Sequence, residues 1–262
     1  MTLIVLGPQG TFSHEMAEKI HSGEILLVET IGKVFAEVMK TGFSGLVPLE
    51  NSEAGGVTST LDCLMQYPVT ITLEAYMTIH HNLASDCAVS DISRIYAHPQ
   101  SHDQCSRMIE ELGIPVIHTE SNAASALAQK RDPNSAAIIS ENLARTHRIP
   151  IITSNIENNA CNITRFIRIA REVEIPDEPE KCSLLIDPDE NRAGLLYDLL
   201  TPFKHREVNL TRIESRPSKR SMGRYVFFLD FQCEGKWRDA IEELQSLTPL
   251  RHLGCYRRWR DI

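Results

Sequence analysis

Arg171-Glu172-Val173-Glu174-Ile175-Pro176-Asp177-Glu178-Pro179-Glu180-Lys181 separates two different patterns in this chain. The segment is charged, carries two prolines and has no hydrophobic period, so it reads as a linker over 171–181. After it the pattern predicts a strand over 182–186, then a helix over 192–204 with Leu195, Leu196, Leu199, Leu200 and Phe203 on one face. Strands follow over 208–214 and 224–231, a helix over 236–247 and a last strand over 250–256. That order is βαββαβ, the ferredoxin-like split unit, which usually forms an antiparallel four-stranded sheet with two helices on one face. Ahead of the linker, short β-prone runs alternate with helical ones. Strands are expected over 3–6, 25–28, 44–47, 69–79, 94–97, 114–118, 136–139, 150–153 and 163–169, and helices over 14–21, 31–40, 57–66, 101–112, 122–130 and 141–146. Such alternation predicts an α/β domain with mostly parallel sheets. These strands outnumber what one small sheet holds, so 69–83 reads as a crossover between two lobes, with the Thr164 strand returning to the first.

The chain has 262 residues, 42% hydrophobic and 24% charged, enough for a proper core in one large domain or two ordinary ones. A formal charge of -8 argues against a general nucleic-acid or anionic-membrane surface and leaves room for a local cationic pocket. Residues 1–8 lack a basic start and run at once into Gly7-Pro8, which reads as a first strand and not a signal peptide. No apolar run approaches the roughly eighteen residues of a membrane helix. Cys63, Cys87, Cys105, Cys161, Cys182, Cys233 and Cys255 are odd in number, scattered and free of any Cys-x-x-Cys pair. Free thiols in a reducing compartment, and no zinc site, are therefore expected.

Five junctions could carry chemistry. Gly7-Pro8-Gln9-Gly10-Thr11-Phe12-Ser13-His14 allows a tight turn, and Thr11 or Ser13 can cap a helix whose N-terminal amides attract an anion. It matches neither the phosphate loop nor the dinucleotide fingerprint, and a plain capped turn is the simpler reading. In Val47-Pro48-Leu49-Glu50-Asn51-Ser52-Glu53-Ala54-Gly55-Gly56, a carboxylate, an amide and a hydroxyl stand in consecutive positions at the carboxyl end of a strand, where open α/β folds place ligands. A solvated turn has equal weight. His98 and His102 have the spacing of helical metal ligands, but Pro99 is set to start the helix and leave His98 outside it, so no metal site is expected there. In Thr119-Glu120-Ser121-Asn122, Ser121 or Asn122 caps the next helix. In Asn158-Asn159-Ala160-Cys161-Asn162-Ile163-Thr164-Arg165-Phe166, β-alternation turns Thr164 and Phe166 to one face and Arg165 to the other. An interior threonine usually reflects β-propensity alone, yet an asparagine cluster running into it favours a polar site. No serine triad, nucleophilic cysteine signature or paired-carboxylate motif competes, so covalent catalysis is not indicated.

Taken in order, these segments resemble the prephenate dehydratase family. Gly7-Pro8-Gln9-Gly10-Thr11-Phe12-Ser13 is similar to its opening loop. Pro48-Leu49-Glu50-Asn51-Ser52 with Gly55, His98-Pro99-Gln100 with Gln104-Cys105, and Thr119-Glu120-Ser121 are similar to its internal motifs. Thr164-Arg165-Phe166 resembles its catalytic Thr-Arg-Phe, and Glu214-Ser215-Arg216-Pro217 the phenylalanine-binding motif of an ACT regulatory domain. The resemblance spans essentially the whole chain and implies a two-lobed α/β catalytic domain, similar to type-II periplasmic binding proteins, over 1–170. Its lobes are expected at about 1–78 plus 155–170, and 79–154, followed by the linker and a ferredoxin-like ACT domain over 182–262. The chorismate mutase segment fused ahead of some relatives is expected to be absent, because Leu3 already begins the first strand.

The implied reaction takes prephenate to phenylpyruvate, carbon dioxide and water in phenylalanine biosynthesis. Aromatisation supplies the driving force, so neither cofactor nor metal is expected. Thr164 is implied to assist departure of the hydroxyl, by hydrogen bonding more than by proton donation, since a threonine hydroxyl is a poor acid. Arg165 is a natural carboxylate partner, although alternation turns it from Thr164. Asn51, Ser52, Gln104 and the amides near Thr11 are implied orienters, Glu50 and Glu120 positioners or proton suppliers, and Ser13, Asn162 and Phe166 complete the substrate-binding set. Relatives often carry a hydroxyl residue where this chain has Ala97. In the ACT domain Gly194, Leu195, Leu196, Asn209, Leu210, Glu214, Ser215 and Arg216 are implied to bind L-phenylalanine as an inhibiting effector, with Leu195 bulkier than the family's usual alanine. Pairing of ACT domains implies a homodimer or homotetramer, and the expected setting is cytoplasmic, with no nucleic acid and no membrane. The rivals are an arogenate dehydratase and a non-catalytic amino-acid sensor, the latter opposed by Thr164-Arg165-Phe166.

Overall fold

The computed structural model describes residues 1–171, 176–220 and 222–260; residues 172–175 of the expected linker lie outside the described residues. The first elements are β1 (Thr2–Leu6), α1 (Phe12–Ile20), β2 (Glu24–Val28), α2 (Ile31–Thr41), β3 (Ser44–Asn51), β4 (Gly55–Gly56), α3 (Thr58–Gln66) and β5 (Thr70–Thr78). Then come β6 (Asn82–Ala84), β7 (Arg94–Ala97), α4 (Pro99–Gln104), α5 (Ser106–Leu112), β8 (Val116–His118), α6 (Asn122–Arg131), β9 (Ser135–Ile139), α7 (Glu141–His147), β10 (Ile151–Thr153) and β11 (Ile163–Ala170). The last are β12 (Lys181–Ile186), α8 (Leu195–His205), β13 (Leu210–Pro217), β14 (Tyr225–Gln232), α9 (Trp237–Leu247) and β15 (Leu250–Arg258). Contacts divide the chain into two compact units, one of Met1–Val34, Leu46–Val57 and Tyr76–Phe166, the other of Phe35–Gly45, Thr58–Ala75 and Ile167–Ile262.

In the first unit, β1 and β2 pair in parallel from Thr2↔Glu24 to Leu6↔Val28, and β3 turns back onto β4 through Glu50↔Gly56 and Asn51↔Gly55. A separate five-stranded sheet has the order β10-β6-β9-β7-β8. Here β7 runs parallel to β8 and β9, whereas β6 runs antiparallel to β9 and β10. This sheet is therefore mixed where mostly parallel pairing was expected. The difference comes from β6, three residues long and too short to show a period. Central strand β9 is buried at all five residues. Ala136 and Ile138 join Ile95 and Ile109 in one core cluster, while Ala137 and Ile139 join Ala126 and Leu143 in another. A strand covered on both faces needs apolar side chains at both alternate sets.

The helix expected over 101–112 is two helices that meet at Cys105. Asn158 is the cause. Its Nδ2 donates to Asp103 O (3.0 Å) and its Oδ1 accepts from Arg107 N (3.2 Å), two groups that would otherwise bond to each other across an α-helical turn. Its own N–H takes Gln104 O at 2.6 Å.

The second unit carries strands in the order β13-β14-β12-β15-β5. The pairs β12–β14, β12–β15 and β13–β14 are antiparallel, giving the expected βαββαβ sheet, and β15 adds a short parallel contact to β5. Leu184, Phe203, Leu229, Phe231, Trp237 and Leu244 form its core with α8 and α9. Helix α8 starts at Leu195, three residues later than expected, because Gly194 caps it with a left-handed φ of 79°. Gly254 has φ 134°, and a Cβ there would collide with the carbonyl of Ile71. The expectation of free thiols needs correction at one pair: Cys182 and Cys255, directly opposite on β12 and β15, form a disulfide. Strand register brings them together, and spacing in the sequence does not reveal register. Cys63, Cys87, Cys105, Cys161 and Cys233 are free. No helix among the described residues is long and apolar enough to cross a membrane.

Candidate active site

The first unit encloses a cavity of about 410 Å³. Strand ends and helix starts build its wall. Thr11, His98, Ser121 and Ser140 are the residues that precede α1, α4, α6 and α7, each accepts a backbone N–H bond with its side chain, and all four line the cavity. Side chains with an acceptor atom stand there because a helix start leaves amides without partners. The longer two helices, α1 and α6, turn the positive ends of their dipoles to the cavity. No Lys or Arg is among the described lining residues, so amides, hydroxyls and helix ends make this wall receptive to anions. Gly10, at φ 85°, packs so closely on Leu143 that a Cβ would collide with it.

Thr164 and Phe166 both line the cavity from β11, and Arg165, between them, does not. Arg165 is 2% exposed and forms an ion pair with Glu50 Oε1 at 2.9 Å, so neither of these two charges reaches the wall. Asn51 does. Its Oδ1 accepts from the backbone N–H groups of Glu53 and Ala54, both at 3.0 Å, which fixes the amide orientation. Its Nδ2 then donates to Asn162 Oδ1 (2.6 Å), Ile163 O (3.3 Å) and Thr164 Oγ1 (3.0 Å). Thr164 Oγ1 therefore acts as an acceptor toward Asn51 and keeps its own O–H for the cavity.

Among the other sequence candidates, Thr11, Ser13, Gln104 and Glu120 line the cavity, and Glu120 is the one carboxyl group among the described lining residues. Ser52 and Asn162 stand behind it. Ser52 Oγ accepts from Ile163 N (2.9 Å) and donates to Cys161 O (3.1 Å), so it fastens the Asn51 loop to the start of β11. Cys105, next to Gln104, is fully buried, and burial pushes its thiol up to about 12, which suits packing and not nucleophilic attack. Ala97 lies in the core beside Ile95, away from the cavity wall.

Sequence reading missed His81 and Ser140. Ser140 had a signal, a strand-to-helix junction with a capping residue. His81 lies in no such motif, yet it is 1% exposed, lines the cavity and places Nε2 2.9 Å from Gln104 Oε1. Burial holds the His81 imidazole below its usual pKa, so it stays neutral at physiological pH. Burial, with His118 nearby, has the same effect on His98.

A model of the prephenate dehydratase family matches residues 3–174, which hold every residue of this cavity. The chain belongs to the prephenate dehydratase family. A model of the ACT domain matches residues 190–248. The chain is 35% identical over 257 residues to the prephenate dehydratase of Methanocaldococcus jannaschii, covering 94% of each. It is also 35% identical over 263 residues to a bifunctional chorismate mutase/prephenate dehydratase of Pseudomonas aeruginosa, covering 96% of this chain and 72% of that protein. The crystal structure of an Arthrobacter aurescens prephenate dehydratase in complex with L-Phe superposes with a TM-score of 0.90 at 30% identity, covering 98% of this chain and 90% of that one. The reaction is that of a carbon–oxygen lyase, in which prephenate loses its ring carboxylate as carbon dioxide and its ring hydroxyl as water to leave phenylpyruvate.

Proposed function

We propose that the Thr164 hydroxyl drives departure of the ring hydroxyl of prephenate, and that L-phenylalanine bound to the ACT unit restrains the reaction. As the C–CO₂⁻ bond breaks, its electron pair enters the ring, the C–OH bond breaks and one proton converts the leaving hydroxide into water. The observation that carries this reading is the orientation of Thr164, which accepts from Asn51 Nδ2 at 3.0 Å and so presents O–H to the cavity. A fixed donor aimed at developing charge stabilises the transition state without reorganising. Gln104 donates a second hydrogen bond to the substrate, and Phe166 packs on the ring. The backbone amides at the start of α1 hold a substrate carboxylate beside Thr11, whose own hydroxyl accepts from His14 N and donates to Leu6 O. Glu120, the one carboxyl group among the described lining residues, relays the proton in this reading. Arg165 acts indirectly, pairing with Glu50 and stiffening β11 behind Thr164.

The effector reading rests on the ACT match and on the L-Phe bound to the Arthrobacter relative. The space over Gly194 is open, with no atom from beyond its chain neighbours within 4 Å of where a Cβ would stand. Leu195 packs against the domain core, so its extra bulk is taken up inside the domain. Leu210, Glu214 and Arg216 share the half-buried face of β13, Ser215 is exposed, and Asn209 precedes the strand. Leu196, Tyr197, Ile213 and Tyr225 are exposed apolar side chains of the same unit, and a homodimer or homotetramer would cover them. The enzyme is cytoplasmic in this reading, with a catalytic part over 1–170, a linker over 171–181 and the effector domain over 182–262.

Ultraviolet detection of phenylpyruvate released from prephenate, with and without L-phenylalanine and with arogenate in parallel, tests these statements together. Turnover that favours prephenate and falls as L-phenylalanine is added is expected, with coupling of about 1–3 kcal/mol. Unchanged rates at saturating L-phenylalanine would refute the effector reading, and a higher kcat/KM for arogenate would reassign the substrate.

The effector strand also has a local anchor. Asp62 of α3 accepts from Lys219 Nζ (2.7 Å) and Arg216 Nη2 (3.3 Å), and the Lys219 hydrogen bond leads in holding its carboxyl below the usual range. A depressed carboxylate pKa contributes stability above the unfolded-state pKa that is lost as pH falls through the folded one. Asp62→Asn is thus expected to lower Tm near neutral pH by an amount corresponding to about 1 kcal/mol or less, and this deficit should shrink below about pH 4. Thermal melts at several pH values check it; a deficit that grows with acid contradicts the assignment.

A further inference from the structure

We infer that His81 is a positioning residue for the reaction: its Nε2–H holds the Gln104 carboxamide so that the amide NH₂ faces the substrate. The inference rests on the reading of Gln104 as a substrate donor and adds the group that aims it. Gln104 Oε1 lies 2.9 Å from His81 Nε2 and, as an oxygen acceptor, requires the proton to be on Nε2. Nδ1 is then a bare lone pair. It is buried and has no hydrogen-bond partner among the described residues, which an unprotonated nitrogen tolerates better than a buried N–H would. A flipped carboxamide would require that second, costlier state, with Nδ1–H buried and unanswered.

The two backbones are held independently of this side-chain bond. Ile156 N donates to His81 O (2.9 Å), His81 N donates to Glu157 Oε2 (2.9 Å), and Asn158 N donates to Gln104 O (2.6 Å). Three successive residues thus fix His81 and Gln104, 23 positions apart, and leave the carboxamide torsions to be set by the imidazole. The Phe12 ring stands nearly perpendicular to the imidazole, with centroids 5.6 Å apart, and limits its rotation. Gln104 Nε2 makes no hydrogen bond among the described residues, and the residue lines the cavity, so the donor end is available there.

Steady-state kinetics on His81→Leu, Gln104→Ala and the double variant test the inference. His81→Leu is expected to lower kcat about tenfold to a hundredfold with KM within a few-fold, and Gln104→Ala to do at least as much. Adding His81→Leu to Gln104→Ala should cost no more than about twofold, because the group it aims is already gone. Multiplying effects in the double variant, or parent-like turnover of His81→Leu, overturns the positioning role. Parent-like turnover of Gln104→Ala overturns it too, and with it the donor reading beneath. If His81→Leu does not fold, His81→Gln and His81→Asn decide the matter. The glutamine amide reaches the place of Nε2 and should keep kcat within about fivefold of the parent, whereas the shorter asparagine should not. Equal kcat in those two variants refutes the inference.

Discussion

Thr164→Ala is expected to lower kcat about a hundredfold or more while KM stays within a few-fold. A hundredfold corresponds to about 2.7 kcal/mol of transition-state stabilisation, the size found when one preorganised donor to developing charge is removed. The split between kcat and KM follows from where the bond is made. In the ground state the substrate hydroxyl is a neutral acceptor, and water in the enlarged cavity can serve it. As the C–O bond lengthens, charge grows on that oxygen, and a fixed donor matters most then. Thr164→Ser should keep much of the activity, because the hydroxyl remains and loses only the methyl group that fixes its rotamer. Pre-steady-state and steady-state formation of phenylpyruvate measure both. If Thr164→Ala raises KM strongly and leaves kcat alone, Thr164 binds substrate and does not assist the leaving group.

How much of this was legible in the sequence depends on the range of the interaction involved. The βαββαβ tail was readable because each of its elements shows its own period. The alternation that sends Thr164 and Phe166 one way and Arg165 the other is equally local, and the cavity wall follows it. Helix starts were readable for the same reason to within about two residues, as a choice between Thr11 and Ser13 and between Ser121 and Asn122, and Thr11 and Ser121 are the caps that form. The rest depends on partners far along the chain. Asn158 breaks a helix more than forty residues ahead of it by entering between Asp103 and Arg107, and no local signal marks Cys105 as the break. His81 and Gln104, or Cys182 and Cys255, are joined by crossing segments and strand register, quantities that one sequence does not state. Arg165 and Glu50 show a subtler limit. Both are charged and stand in the right motifs, and they neutralise each other behind the wall.

Asn51→Asp should reduce kcat at least as far as Thr164→Ala does, about a hundredfold, through one reversed hydrogen bond. In the parent, Asn51 Oδ1 accepts from the Glu53 and Ala54 N–H groups, so Nδ2 must face Thr164 and Asn162. An aspartate can keep the two backbone bonds, but its second oxygen meets Thr164 Oγ1 as an acceptor. The threonine proton then turns to the carboxylate, 3.0 Å away in the parent geometry, and no longer points at the substrate. That same oxygen faces Asn162 Oδ1 and the carbonyl of Ile163, where a negative charge finds no donor besides the threonine hydroxyl unless the Asn162 amide flips. A loss of about 1–3 kcal/mol in stability is expected as well, readable by denaturant unfolding. Asn51→Ala separates the two effects. It also unfastens the loop, since Glu53 and Ala54 lose their acceptor, yet Thr164 keeps a freely rotating hydroxyl that a bound substrate can capture. Asn51→Ala should therefore retain a higher kcat than Asn51→Asp even if the two are equally unstable. In the Thr164→Ala background the gap between the two Asn51 variants should close, because no proton remains to be misdirected. A gap that persists without the threonine hydroxyl would show that Asn51 acts on the substrate by itself.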